Sequence, residues 1–125
     1  MLDEGAKIVA DVESCTPRTE WAKENEGTMY EINAAKACAE ETCYFLRMRK
    51  PCVQLVNPKI GKTFGLTYSA DTLPYFVEWK SMASGDYALG LEPATTELDD
   101  RFAYKTIHAQ EKKTFRLQIC VTREK

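Results

Sequence analysis

The chain has 125 residues, 44% hydrophobic and 29% charged, which is ordinary usage for one globular domain and far from the composition of disordered chains. Its 17 basic and 19 acidic residues leave a net charge of −2, so no basic field is available to attract nucleic acid or an anionic membrane. No apolar run approaches the roughly 20 residues that span a bilayer, and the acidic opening MLDEGAKIVADV lacks the basic-then-apolar order of a signal peptide; the expected location is the cytoplasm.

Short β-type runs separated by turn signals follow one another along the chain: KIVADV at 7–12, TCYFLRMR at 42–49, CVQLVN at 52–57, KTFGLTY at 62–68, LPYFVEWK at 73–80, DYALGLE at 86–92 and TFRLQICV at 114–121. Between the first two, the stretch from Thr19 to Lys36 has no strand period and is expected to form one helical turn or a mobile excursion. Arg47, Arg49 and Lys50 flank Met48 at what reads as a strand end, a solvated face rather than a phosphate site. Asn57-Pro58 with Gly61 reads as a hairpin loop and Ser84-Gly85-Asp86 as another turn. LPYFVEWK is almost continuously apolar, which predicts a central strand covered on both faces. Glu92-Pro93 ends the next strand, because proline cannot donate to a ladder. In the last run Phe115, Leu117, Ile119 and Val121 share one face, which predicts that this face is buried. The sum is an all-β fold, an antiparallel β-sandwich of at least six strands with no helix longer than about three turns. It occupies a single domain over 1–125, without internal repeat or linker.

Most chemical motifs fail on their spacing. GKTF at 61–64 has Val56 where a phosphate loop requires its first glycine. The only histidine, His108, stands in TIHAQEKKTF just before the last strand, where an exposed turn is expected, so neither a Ser-His-Asp nor a Cys-His site can be assembled by pattern. Cys15, Cys38, Cys43, Cys52 and Cys120 are odd in number and form no C-x-x-C pair. They read as reduced thiols acting as small buried hydrophobes, with no metal site and no cofactor implied.

One stretch is more specific. LPYFVEWKSMASGDYALGLEPATTELDDR at 73–101 carries a strand of the LP-aromatic-x-x-W-K type, then a Gly-Asp-Tyr turn, then a G-L-E-P-A-T strand end. In this it resembles the C-terminal part of galactose mutarotase-like proteins, in particular a poorly characterised group within the aldose 1-epimerase superfamily. Leu2 to Gly5, Thr16 to Arg18 and Leu55 to Pro58 extend the resemblance over nearly the whole chain.

The resemblance implies that the chain corresponds to the later portion of a large antiparallel supersandwich and binds a small-molecule sugar. It implies Glu92 as the base that takes the proton from the anomeric hydroxyl, while the family's catalytic histidine has no counterpart here. Trp79 and Tyr75, four residues apart in one strand, are expected to share a face where rings could stack on a sugar, with core packing as the rival reading. Lys80, Arg101 and Asn57 are candidate hydroxyl partners; each also has an ordinary reading, as solvated lysine, surface ion pair and turn residue. Three functions follow: a sugar isomerase using Glu92, a non-catalytic sugar-binding module, and a self-associating structural fragment. Uncovered strand edges predict a homodimer.

Overall fold

The computed structural model describes residues 1–97 and 104–124. Six antiparallel strands form one sheet: β1 (Lys7–Pro17), β2 (Thr42–Asn57), β3 (Lys62–Tyr68), β4 (Tyr75–Ala83), β5 (Asp86–Ala94) and β6 (Leu117–Arg123). The expected all-β, antiparallel class is what the chain adopts.

β2 organises the sheet. The two runs TCYFLRMR and CVQLVN join into this single strand of 16 residues rather than forming two. Along one edge it pairs with β1 over its whole length, from Lys7↔Val56 to Pro17↔Tyr44. Its other edge is divided, the first part pairing with β4 (Thr42↔Lys80 to Leu46↔Phe76) and the last with β3 (Cys52↔Thr67 to Asn57↔Lys62). β5 then extends β4, and β6 extends β3. Arg49, Lys50 and Pro51 fall between these registered pairs, and the β1 register shifts between Ala10 and Ser14. Extra residues on one strand of a pair bend it and increase its twist, and Pro51 has no N–H to lose from a ladder. The sheet therefore curls about this corner into two leaves that share β1 and β2.

The corner also reverses parity. Tyr44 and Leu46 of the first leaf face the same core as Val53 and Leu55 of the second. Phe76 from β4 and Leu66 and Tyr68 from β3 complete it, and the Tyr68 and Phe76 rings stack with centroids 5.7 Å apart, a geometry worth about 1 kcal/mol beyond the area buried. One end of the core is closed by a helical turn, α1 (Glu20–Glu24), as the Thr19–Lys36 stretch predicts. Thr19 caps it, its hydroxyl oxygen accepting from the Ala22 N–H at 3.1 Å, and Ala22 is buried.

β4 lies between β5 and β2 and is buried on both faces, as its apolar run predicts. The hairpin to β5 turns through Ser84-Gly85, and Gly85 has φ +87°, a left-handed conformation that glycine adopts without strain. β5 does not stop at Glu92. Pro93 stays in register opposite Phe76, because β5 is an edge strand and proline costs little where no outer neighbour needs its N–H.

The largest departure is β6. Leu117, Ile119 and Val121 do share a face, but that face is 59%, 64% and 58% exposed, so the expected burial is overturned. β6 is the outermost strand of its leaf and lies past the last core layer, and no described residue covers it. The cysteines also divide. All five thiols are free; Cys43 is buried, Cys15 and Cys52 are half-buried, and Cys38 and Cys120 are exposed, so the buried-hydrophobe reading holds fully only for Cys43.

Candidate functional site

Strand parity sorts β4 into two sets with different fates. Tyr75, Val77 and Trp79 point to the outer face, away from the core shared by the leaves, and their cross-strand partners on β5 are Ala94, Glu92 and Gly90. On the β2 side, Phe45 lies opposite Val77 and Cys43 opposite Trp79. The sheet thus brings three of the candidate residues, Tyr75, Trp79 and Glu92, onto one surface with a floor of Cys43, Phe45 and Val77, all buried.

Gly90 gives this surface its shape. A Cβ at this position would collide with the Glu92 carboxylate, whose Cδ lies 3.1 Å from where that Cβ would sit. The carboxylate therefore folds back across the gap left by the missing side chain, toward Trp79. The indole is half-buried and its Nε1 donates to Glu41 Oε2 at 2.9 Å, which sets the ring's orientation. Around Tyr75, the Arg47 guanidinium sits 4.2 Å from the ring centroid, within cation–π range, and its Nη2 lies 3.1 Å from Glu97 Oε1. Below them, burial holds the Cys43 thiol above its ordinary pKa; the adjacent Arg18 guanidinium offsets part of the rise, and the Glu92 and Glu41 carboxylates add to it. The thiol is thus held in its unreactive form. The face carries two aromatic rings, three carboxylates and two guanidinium groups. Of these, Arg47 is paired with Glu97 and Glu41 is held by the Trp79 indole N–H.

The remaining candidates stand elsewhere. Lys80 points into the core face and is buried, its Nζ donating to the carbonyl oxygens of Thr28, Met29 and Glu31 at 3.1, 2.9 and 2.8 Å. Asn57 is buried in the 57–62 turn: its Oδ1 accepts from the N–H groups of Lys59 and Ile60, and its Nδ2 donates to Met1 O and Asp3 Oδ2. Arg101 lies outside the described residues. His108 sits in the exposed stretch before β6, where its backbone N–H donates to Glu111 Oε2. Among the described residues, no group of three or more His, Cys, Asp or Glu side chains could hold a metal ion, and no helix is long and apolar enough to cross a membrane.

The sequence reading passed over Glu78. It is fully buried on the same face as Lys80, neither carboxyl oxygen has a hydrogen-bond partner, and burial raises its pKa from 4.5 to about 7 against the pull of Lys80. A glutamate in the middle of the apolar run LPYFVEWK was the available signal.

The curled antiparallel sheet, with its core on one face and an aromatic, carboxylate-bearing surface on the other, is an all-β fold. The fold matches that of a protein from Klebsiella pneumoniae subsp. pneumoniae described as a "putative aldose 1-epimerase", with a TM-score of 0.67 and 22% sequence identity over 74% of this chain. The match covers 26% of that protein, so the chain spans about a quarter of the length of its structural relative. The chain belongs to the family described as Domain of unknown function (DUF4432), whose model matches residues 1–121. A search of curated protein sequences finds no match.

Proposed function

We propose that the Glu92 face binds an aldose sugar, and that Glu92 is the base that takes the proton of its anomeric hydroxyl. The observation that carries this reading is the placement of the Glu92 carboxylate across the Gly90 gap, on the same surface as the Trp79 and Tyr75 rings. Indole and phenol rings offer apolar platforms for the C–H faces of a sugar. The Arg47–Glu97 pair at the rim can exchange its mutual contact for hydroxyls. In mutarotation the base removes the proton of the anomeric hydroxyl, the C–O bond to the ring oxygen breaks as the carbonyl forms, and the ring oxygen takes a proton; the ring then recloses on the other face of the carbonyl, returning both protons. A histidine supplies that second proton in the mutarotases the sequence resembles, whereas His108 stands in the exposed stretch before β6, its backbone N–H on Glu111 Oε2, and not on the strands that carry this face. This favours a second reading, a sugar-binding surface without turnover.

Glu92→Gln separates these readings. Glutamine keeps the shape and removes charge and basicity, so sugar affinity should fall about tenfold, the loss of one charge-assisted hydrogen bond. The melting temperature should stay within about 2 °C, because Glu92 is exposed and holds no core contact. Acceleration of glucose or galactose mutarotation above the spontaneous rate, seen by polarimetry and lost in Glu92→Gln, establishes the isomerase; binding without acceleration establishes the module. A variant that melts several degrees lower with unchanged sugar affinity sinks the site.

We also propose that the chain pairs with a second copy through β6, whose outer edge has no strand beside it and whose apolar stripe is exposed. Light scattering should give a dimer that Ile119→Lys converts to monomer. A stable monomer of the unaltered chain at high micromolar concentration overturns this.

A further inference from the structure

The sheet has its open edges at β1, β5 and β6, and two of them are blunted. β1 is bulged between Ala10 and Ser14, and its start is covered by hydrogen bonds to Tyr30 and Ile32. β5 carries Pro93, which has no N–H to offer. β6 has none of the features that protect an edge from another strand: no proline, no bulge in its seven consecutive pairs with β3, and no charge within the exposed apolar stripe of Leu117, Ile119 and Val121.

Two hydrogen bonds at the ends of the β3–β6 ladder fix which backbone groups of β6 are open. Ser69 N–H donates to Arg116 O and Glu124 N–H donates to Gly61 O, and both pairs continue the ladder's register. Hydrogen-bonded pairs alternate along an antiparallel ladder. The even-numbered residues of β6 therefore turn their N–H and C=O groups toward β3, while Leu117, Ile119, Val121 and Arg123 turn theirs to the open edge.

A second copy of β6 added antiparallel must pair odd-numbered with odd-numbered residues, which also keeps the two apolar stripes on one face. Full overlap of Leu117–Arg123 puts Cys120, the middle residue, opposite itself. Ile119 then faces Val121 of the second copy, and Gln118 faces Thr122. Just beyond the strand, the exposed Arg116 faces the exposed Glu124 of the second copy, and symmetry makes this opposite-charge pair twice. A slip of two residues either way, the smallest that keeps the odd-to-odd pairing, loses both charge pairs and sets Arg123 against Phe115 or Ile119.

We propose that β6 joins β6 of a second copy in this one register, on a two-fold axis through the Cys120 pair, so that a single antiparallel sheet runs through both copies. The register rests on the β6 dimer proposed above and adds to it the axis and the residues that select it. Cys120 is exposed on the face away from the stripe, its Sγ lying over Gly65, 2.8 Å from where a Gly65 Cβ would be. A turn about its side-chain torsion carries the thiol to the axis. There the two Cys120 residues form a non-hydrogen-bonded pair with Cα atoms roughly 4.5 Å apart, within the range that a disulfide bridges.

Diamide tests the axis in the full chain. It takes two electrons and two protons from two thiols and becomes the hydrazine as the disulfide forms. On a non-reducing gel with peptide mapping, a dimer linked through Cys120 should form at least about tenfold faster than one linked through Cys38, also exposed, since pairing on the axis gives an effective concentration on the order of millimolar. Charge reversal tests the register. Arg116→Glu and Glu124→Arg should each weaken the dimer in light scattering at least about tenfold, and the double variant should restore it, because like charges across the axis become opposite ones again. A dimer with no preferential Cys120 linkage and no restoration in the double variant overturns the register while the dimer itself stands. A chain that stays monomeric at high micromolar concentration overturns dimer and register together, and leaves the open edge to a strand of another protein.

Discussion

Replacing Lys80 by methionine is expected to destabilise the protein by about 3 kcal/mol and to loosen the segment around residues 28–32 more than any other part of the fold. Methionine keeps the apolar stem packed along β4, so the loss comes from the ammonium group. That group holds three backbone carbonyls of one segment at 2.8 to 3.1 Å, and each hydrogen bond to a charged donor contributes about 1.5 to 3 kcal/mol when removed alone. The three are not additive, and burial of the ammonium, which lowers the Lys80 pKa, offsets part of the gain. The held segment is stitched to the start of β1 by Ile8 N–H to Tyr30 O, Ile32 N–H to Ala6 O and Gly5 N–H to Ile32 O, and to the end of β4 by Lys36 N–H to Met82 O. Urea unfolding at pH 7 should show the lowered stability. Hydrogen exchange should speed at Ile8, Ile32 and Lys36 while β3 and β6 exchange as before. A variant within about 0.5 kcal/mol of the parent, the range of ordinary surface changes, would show that the lysine is a passenger.

The sequence made this fold legible where patterning is local. β3 spans the same residues as its β-type run because a turn bounds each of its ends, Asn57 to Gly61 before and Ser69 to Thr72 after. Period 2 alone placed Trp79 with Tyr75 and Lys80 against them, and the structure keeps that division. What was not legible depends on register and on the corner. Nothing along the chain says that TCYFLRMR and CVQLVN are one bent strand, because the bulge that joins them is defined only by what β1 skips. Arg47 read as a solvated cation, and only the pairing of β2 with β4 brings it over Tyr75 and next to Glu97. Glu41 and Arg18 join the site in the same way, through positions flanking strands rather than through any motif. β6 misled because alternation reports a face that could be buried, not what is there to bury it.

Glu78→Gln should abolish the pH dependence that this buried carboxyl imposes on the protein. Glu78 is fully buried between the leaves with both oxygens unpartnered. The titratable groups that face it come from every element packed on it: Lys80 on β4, the one charged group among them, and the neutral Cys15 on β1, Tyr30 in the 28–31 segment and Tyr44 on β2, whose own pKa values its carboxylate helps to raise. Burial is the larger influence and raises its pKa from 4.5 to about 7, with Lys80 pulling the other way. A folded pKa above the unfolded one means that the native state binds the proton more tightly. The contribution to stability is therefore fully present below pH 4.5 and is lost as pH rises through about 7. At about 1.4 kcal/mol per pKa unit, the whole loss is on the order of 3 kcal/mol. Lys80 shifts in the opposite sense, but an ammonium donating to three carbonyls stays protonated through this window and adds a constant. Cys15 is pushed to about 12 by burial and stays neutral there as well. Glutamine matches the protonated acid in shape and cannot ionise. At pH 4 the variant and the parent should unfold at nearly the same urea concentration. At pH 8 the variant should be the more stable by about 3 kcal/mol, less whatever Lys80 loses with its counter-charge, a difference large enough to raise the melting temperature by roughly 10 °C. Stability curves that run parallel from pH 4 to pH 8 would mean that Glu78 titrates as it does in water, and that the carboxylate has a path to solvent through the 28–31 segment.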